Sequence, residues 1–98
     1  MLKQVTIGVK LEKNWKGDKY ITYFLDDYTI AELDFPNEYR DKPRLYPAFE
    51  NISFDYDTMK TAVAAAETVA ELHLVGQGYT VKGFDYPEEL NEIKNQVI

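Results

Sequence analysis

One run of twenty residues constrains this chain more than any other: residues 57–76, DTMKTAVAAAETVAELHLVG. Ala and Leu dominate its interior, and both are strong helix formers. Asp57 is placed to cap the helix by accepting from a free N–H of the first turn. Gly76 is placed to end it in the left-handed conformation. At a helical period, Met59, Ala62, Val63, Ala66, Val69, Ala70, His73 and Leu74 share one side. Lys60, Ala64, Glu67, Thr68, Glu71 and Val75 share the other. The run therefore predicts one amphipathic helix of about five turns, roughly 28 Å long. Its inner side is built mostly of small residues, so it can lie close against a sheet.

The residues before it read as strands. In 3–11, KQVTIGVKL, Val5, Ile7, Val9 and Leu11 alternate with polar positions, which makes a strand with one wet face. Residues 12–18 are polar and carry Gly17-Asp18, a turn or short loop. In 19–25, KYITYFL, both faces are aromatic or β-branched, as in a central strand or one at a subunit contact. Asp26-Asp27 reads as a tight turn. In 28–35, Ala31, Leu33 and Phe35 are expected to face inward, and Ile30, Glu32 and Asp34 outward. Residues 36–49 hold three of the four prolines and both arginines with no clean period, and read as a long connection. Residues 51–56, NISFDY, alternate as a fourth strand leading into the helix. Residues 79–84, YTVKGF, form a fifth, at an edge. Pro87 then opens a second, short helix through 98, with Leu90, Ile93, Val97 and Ile98 as its apolar stripe.

The order β-β-β-β-α-β-α predicts a single α+β domain over residues 1–98. It is an antiparallel sheet of four to five strands backed on one face by the long helix, with a short C-terminal helix. Ninety-eight residues support one modest core. The start of the chain has no continuous apolar run, so neither signal peptide nor membrane span is expected, and the location follows as cytoplasmic. Apolar residues on both faces of 20–25, exposed edge strands and the second helix together predict a homodimer.

Catalytic chemistry is not legible. There is no cysteine, hence no disulfide, thiolate metal site or thiol nucleophile. His73, the only histidine, lacks a nucleophile pattern. It reads as a partly buried side chain bonded to a backbone carbonyl near the helix C-terminus. Asp26-Asp27, Glu32/Asp34 and Asp55/Asp57 cluster carboxylates, but a turn, a wet strand face and a helix cap account for them. Gly76-Gln77-Gly78 follows a helix and lacks the Lys-Ser/Thr of a phosphate loop. Catalytic residues, cofactors and metal are therefore all expected to be absent, and the chain is not expected to be an enzyme. The net charge of −6 opposes a general nucleic-acid binder and suits a basic protein partner. Trp15, among Lys13, Lys16 and Lys19, is expected to fold over the sheet, although a basic loop with an aromatic is also a feature of nucleic-acid and partner contacts.

Three stretches, YFLDDYTIAELDFPNE (23–38), DTMKTAVAAAETVAELHL (57–74) and YTVKGFDYPEEL (79–90), occur in this order, and together they resemble the N-terminal domain of HicB-type antitoxins. The resemblance spans residues 20–90. It implies a double-stranded-RNA-binding-like or partial RNase H-like fold, with a meander, a helix and a closing strand. It also implies a function: binding a small basic mRNA interferase (a HicA-like toxin) and covering its catalytic face. The contact residues it implies are Asp27, Glu32, Asp34, Glu67 and Glu71. The alternative is an acidic inhibitor or decoy of the phage or mobile-element type, occupying a nucleic-acid site on a host enzyme.

Overall fold

The computed structural model describes residues 3–91. The fold is α+β: a six-stranded, mostly antiparallel sheet with one long helix and a short C-terminal one. The strands are β1 (Lys3–Lys13), β2 (Lys19–Leu25), β3 (Tyr28–Asp34), β4 (Arg44–Pro47), β5 (Phe54–Asp55) and β6 (Tyr79–Asp85), and the helix α1 is Met59–Gly76. Across the sheet the order is β5-β4-β3-β2-β1-β6. β1, β2 and β3 form the expected meander, with β2 central. β6 lies parallel to β1 at the opposite edge from β5. Residues 88–91 are the first helical turn of the C-terminal segment; the rest of the expected second helix lies outside the described residues.

α1 joins the two edges. It begins four residues after Asp55, which pairs with Arg44 in the same row as Glu12 at the far end of β1. It ends three residues before Tyr79, which pairs with Lys3 at the near end of β1. The helix therefore crosses the sheet diagonally. Its 18 residues reach about 27 Å, enough to bridge six strands spaced about 4.8 Å apart. Ala62, Val63, Ala66, Ala70 and Leu74 are its buried residues. Beneath them lie Ile7, Ile21, Tyr23, Ile30, Leu33 and Leu45, all fully buried. Leu90, from the C-terminal turn, closes one end of this core.

Several local expectations are corrected. Thr58, not Asp57, is the N-cap: its backbone is extended and its Oγ1 accepts from Thr61 N at 3.2 Å. Asp57, one residue too early, points to solvent and pairs with Lys42 at 3.2 Å. Gly76 stays helical, and Gly78 takes the left-handed conformation at φ +94°. Ile30 faces inward. The β2–β3 register shifts between Tyr23↔Ala31 and Phe24↔Thr29, so Ile30 is the extra residue of a bulge and turns toward the core beside Ala31. The long connection contains a strand, β4, whose Leu45 and Pro47 face the core and whose flanking prolines hid it. Pro43 precedes it and Pro47 closes it, where a missing N–H costs the ladder least. Conversely, only Phe54 and Asp55 of the expected strand 51–56 pair, leaving Ile52 exposed.

Candidate protein-binding face

α1 covers one face of the sheet. The other carries the side chains that alternate outward, and the register aligns them in rows. One row runs Glu12, Tyr20, Asp34, Arg44, Asp55 across β1, β2, β3, β4 and β5. The next runs Lys10, Thr22, Glu32, Tyr46. A third places Phe24 between Gly8 and Thr29. The Phe24 ring lies over Gly8 so closely that a Cβ there would approach ring carbons to 2.4 Å. A side chain at this point would have to displace the ring; the backbone itself is an ordinary strand.

The charges on this face are mostly paired. Lys10 Nζ meets Glu12 Oε1 at 3.3 Å, and the Thr22 hydroxyl donates to Glu12 Oε2 at 3.1 Å. Burial, the largest single influence on Glu12, raises its pKa, but hydrogen bonds from Tyr20, Lys10 and Thr22 and the charge of Lys10 together outweigh it and leave the carboxylate below its ordinary value. Arg44 holds Asp55 through two contacts, Nε to Oδ1 at 2.7 Å and Nη2 to Oδ2 at 3.2 Å. Such forked pairs are stronger than single ones, and this one keeps the Asp55 pKa low. Arg40, from the β3–β4 loop, reaches Asp34 Oδ2 at 3.4 Å.

Glu32 differs. Among the described residues it forms no ion pair. Burial, then a hydrogen bond to Asp34, then the charges of Asp34 and Glu12 push its pKa up to about 7. Every one of those influences disfavours the charged form. The Glu32/Asp34 pair forms a wall shared by two cavities. One, of about 260 Å³, is also lined by Tyr20, Asn14 and Lys19. The other, of about 460 Å³, is also lined by Tyr46 and Thr29.

Of the five residues implied by the resemblance, the structure brings together only Glu32 and Asp34. Asp27 sits exposed in the β2–β3 turn, at the other end of β3. Glu71 is exposed on α1, on the opposite side of the sheet. Glu67 is half-buried rather than turned outward, and its Oε2 accepts from the Tyr86 hydroxyl at 2.5 Å, which in turn meets the Tyr23 hydroxyl at 3.1 Å. Sequence reasoning missed Glu12, Tyr20 and Tyr46 as members of the face. Glu12 continues the wet side of the first strand one position past its expected end, so the signal was present; its placement beside Thr22 required the register.

His73 is partly buried as expected, but its partners are aromatic. Its Nε2 lies 3.1 Å from the Tyr28 hydroxyl, and its ring stacks on Phe49 at 4.2 Å and 5°. Trp15 is not folded over the sheet: it is 89% exposed. Among the described residues no three His, Cys, Asp or Glu side chains are grouped so as to hold a metal ion, and no helix is long and apolar enough to cross a membrane.

Fold and site together define the class: a small α+β protein whose mixed sheet is shielded by one helix and presents its other face, acidic and aromatic, to solvent. Comparison with protein-family models, characterised proteins and solved structures finds no match.

Proposed function

We propose that this chain is a protein-binding module without catalysis, and that it neutralises a small basic mRNA interferase in the manner of a HicB-type antitoxin. Its contact surface is the open face of the sheet. Glu32 carries this reading. A half-buried charge is costly unless paired, and the other carboxylates of the face have cations: Glu12 has Lys10, Asp34 has Arg40 and Asp55 has Arg44. The charged groups that act on Glu32, Asp34 and Glu12, are both acidic. A Lys or Arg side chain from a partner completes the set, and Tyr20, Phe24 and Tyr46 supply the aromatic area on which such contacts concentrate. Within residues 20–90 the strands β2 and β3, the helix and the closing strand β6 follow the order the resemblance implies, which supports the same reading. On this reading the protein works in the cytoplasm as a homodimer; a strict monomer by light scattering at high concentration removes the second element.

The test is co-expression with any short basic protein encoded beside this gene, reading complex formation and RNA cleavage. The wild-type chain is expected to bind it and suppress cleavage. Combined reversal, Glu32→Lys with Asp34→Lys, is expected to weaken the complex by roughly 100-fold or more, since like charges are then juxtaposed in a half-buried contact. Asp27→Lys and Glu71→Lys, both away from this face, are expected to change it only a few-fold. A wild-type chain that binds no basic ribonuclease defeats the proposal. If all four reversals weaken binding equally, the acidic decoy is the better description.

A further inference from the structure

Trp15 and Tyr39 stand at the same end of the molecule, on different loops, and the face described above does not use them. Trp15 is 89% and Tyr39 74% exposed, yet neither rides on a slack loop. Asn14 Oδ1 accepts from the backbone N–H of Lys16 at 2.9 Å and of Asp18 at 3.1 Å, and Gly17 takes φ +86° to close the turn. Asn37 does the same on the other loop, accepting from Tyr39 N at 2.8 Å and Arg40 N at 3.1 Å. Lys16 links the two: its Nζ is 5.1 Å from the Trp15 ring centre and 5.3 Å from that of Tyr39. Two rings are thus held in place with a cation shared between them. Beside them a cavity of about 460 Å³ lies between the loops, lined by Lys16, Lys19, Asp18, Glu38, Phe35 and Pro36 among others.

We infer that this end of the molecule is a second contact site, adjoining the acidic face at Lys19, and that it takes single-stranded nucleic acid by stacking a base on Trp15 and setting the neighbouring phosphates against Lys13, Lys16 and Lys19. The net charge of −6 opposes binding over the surface as a whole, but residues 13–19 carry three lysines against one aspartate. That is the pairing of flat ring and cations that binds unpaired strands without reading sequence. An acidic peptide would satisfy the lysines and leave the exposed ring faces unused. Asp18 and Glu38 line the cavity together with Lys16 and Lys19; these carboxylates repel phosphate but can accept from exocyclic amino groups, as acidic side chains do from cytosine N4. Adenine and cytosine are therefore favoured over uracil.

Trp15 is the only tryptophan, so its emission reports on this site alone. The full chain is titrated at about 20 mM salt with oligoadenylate, oligouridylate and polyglutamate, the oligonucleotides about eight residues long. Oligoadenylate is expected to quench Trp15, with polyglutamate much less effective. Three phosphate contacts predict that log K falls with log salt at a slope of about −2. By anisotropy of a labelled strand, Trp15→Ala is expected to weaken binding roughly tenfold or more. Lys13→Glu with Lys19→Glu is expected to weaken it further and flatten the salt slope. Glu32→Lys with Asp34→Lys is expected not to weaken it, which separates this site from the acidic face. No quenching at low salt, binding indifferent to Trp15→Ala, or equal quenching by polyglutamate each overturns the inference.

Discussion

The two faces of the sheet are made by the same strands, yet the alternating residues meet different partners. Beneath α1 the rows are apolar: Leu11 beside Ile21 and Leu33, Val9 beside Tyr23 and Ala31. On the open side the same strands offer Glu12, Tyr20 and Asp34 in one row and Lys10, Thr22 and Glu32 in the next. The first face draws its stability from area removed from water, which is non-directional. The second depends on pairings that can be completed, broken or left open. Truncation should therefore be severe on the covered face and mild on the open one.

The largest effect is expected at Leu45. It is fully buried between Leu33 of β3 and Phe54 of β5. Leu45→Ala should lower stability by about 3 kcal/mol, from lost transfer energy plus the cavity left behind. Urea denaturation checks this against Phe24→Ala on the open face, whose ring is only half-buried. If Phe24→Ala costs as much, the two faces are not different in kind.

The covered face also holds a polar contact, where the Tyr86 hydroxyl connects Tyr23 and Glu67. The ring of Tyr86 also packs edge-on to Tyr23, with centroids 6.3 Å apart. Tyr86→Phe keeps that packing and removes only the hydroxyl. A cost of about 1 kcal/mol is expected, since a part-buried hydrogen bond to a carboxylate is lost. A neutral result would mean the network is incidental to stability.

Gly8 sharpens the contrast from the open side. Gly8→Ala sets a Cβ against the Phe24 ring. The contact is with the far end of a half-exposed side chain, so the ring can swing away, and a cost of about 1 kcal/mol is expected, at the low end for overpacking. In a double-mutant cycle with Phe24→Ala the penalty should vanish, because neighbours that share a contact are not additive. A penalty that persists would place the constraint in the backbone instead.

How much of this was legible in the sequence follows the same division. α1 was plain because helical periodicity is local, and its buried residues Ala62, Val63, Ala66, Ala70 and Leu74 all lie on the marked stripe, whose other members Met59, Val69 and His73 are partly buried. The first three strands were plain because alternation is local too. What failed depended on pairing. The inward turn of Ile30 comes from a bulge set between β2 and β3, which no single-strand period displays. β4 was hidden because two prolines bound a strand of only four residues. The parallel alignment of β6 on β1 joins residues more than seventy positions apart. For the acidic face, Glu32 and Asp34 could be paired from their spacing, whereas Glu12, Tyr20 and Tyr46 join them only through the register. Glu67, at a polar position of α1, reads as outward until Tyr86 is seen to reach it.

The smallest effect expected, and the most specific to the open face, is the pH dependence contributed by Glu32. Its pKa in the folded chain is about 7, against an ordinary 4.5. The folded state therefore binds the proton more tightly than the unfolded state does. This group's contribution to stability is greatest below about pH 4.5, declines as pH rises through 7, and changes little beyond it. Glu32→Gln removes the ionisation and with it the decline. At about 1.36 kcal/mol per unit the full shift would amount to a few kcal/mol, but solvent screening of a half-exposed group reduces that to about 1 kcal/mol or less. The variant is thus expected to be more stable than wild type at about pH 8 and close to it at about pH 4.5, by urea denaturation at the two values. A difference of the same size at both pH values would show that the carboxylate is not held against its own charge. The argument that this face is short of one cation would then fail as well.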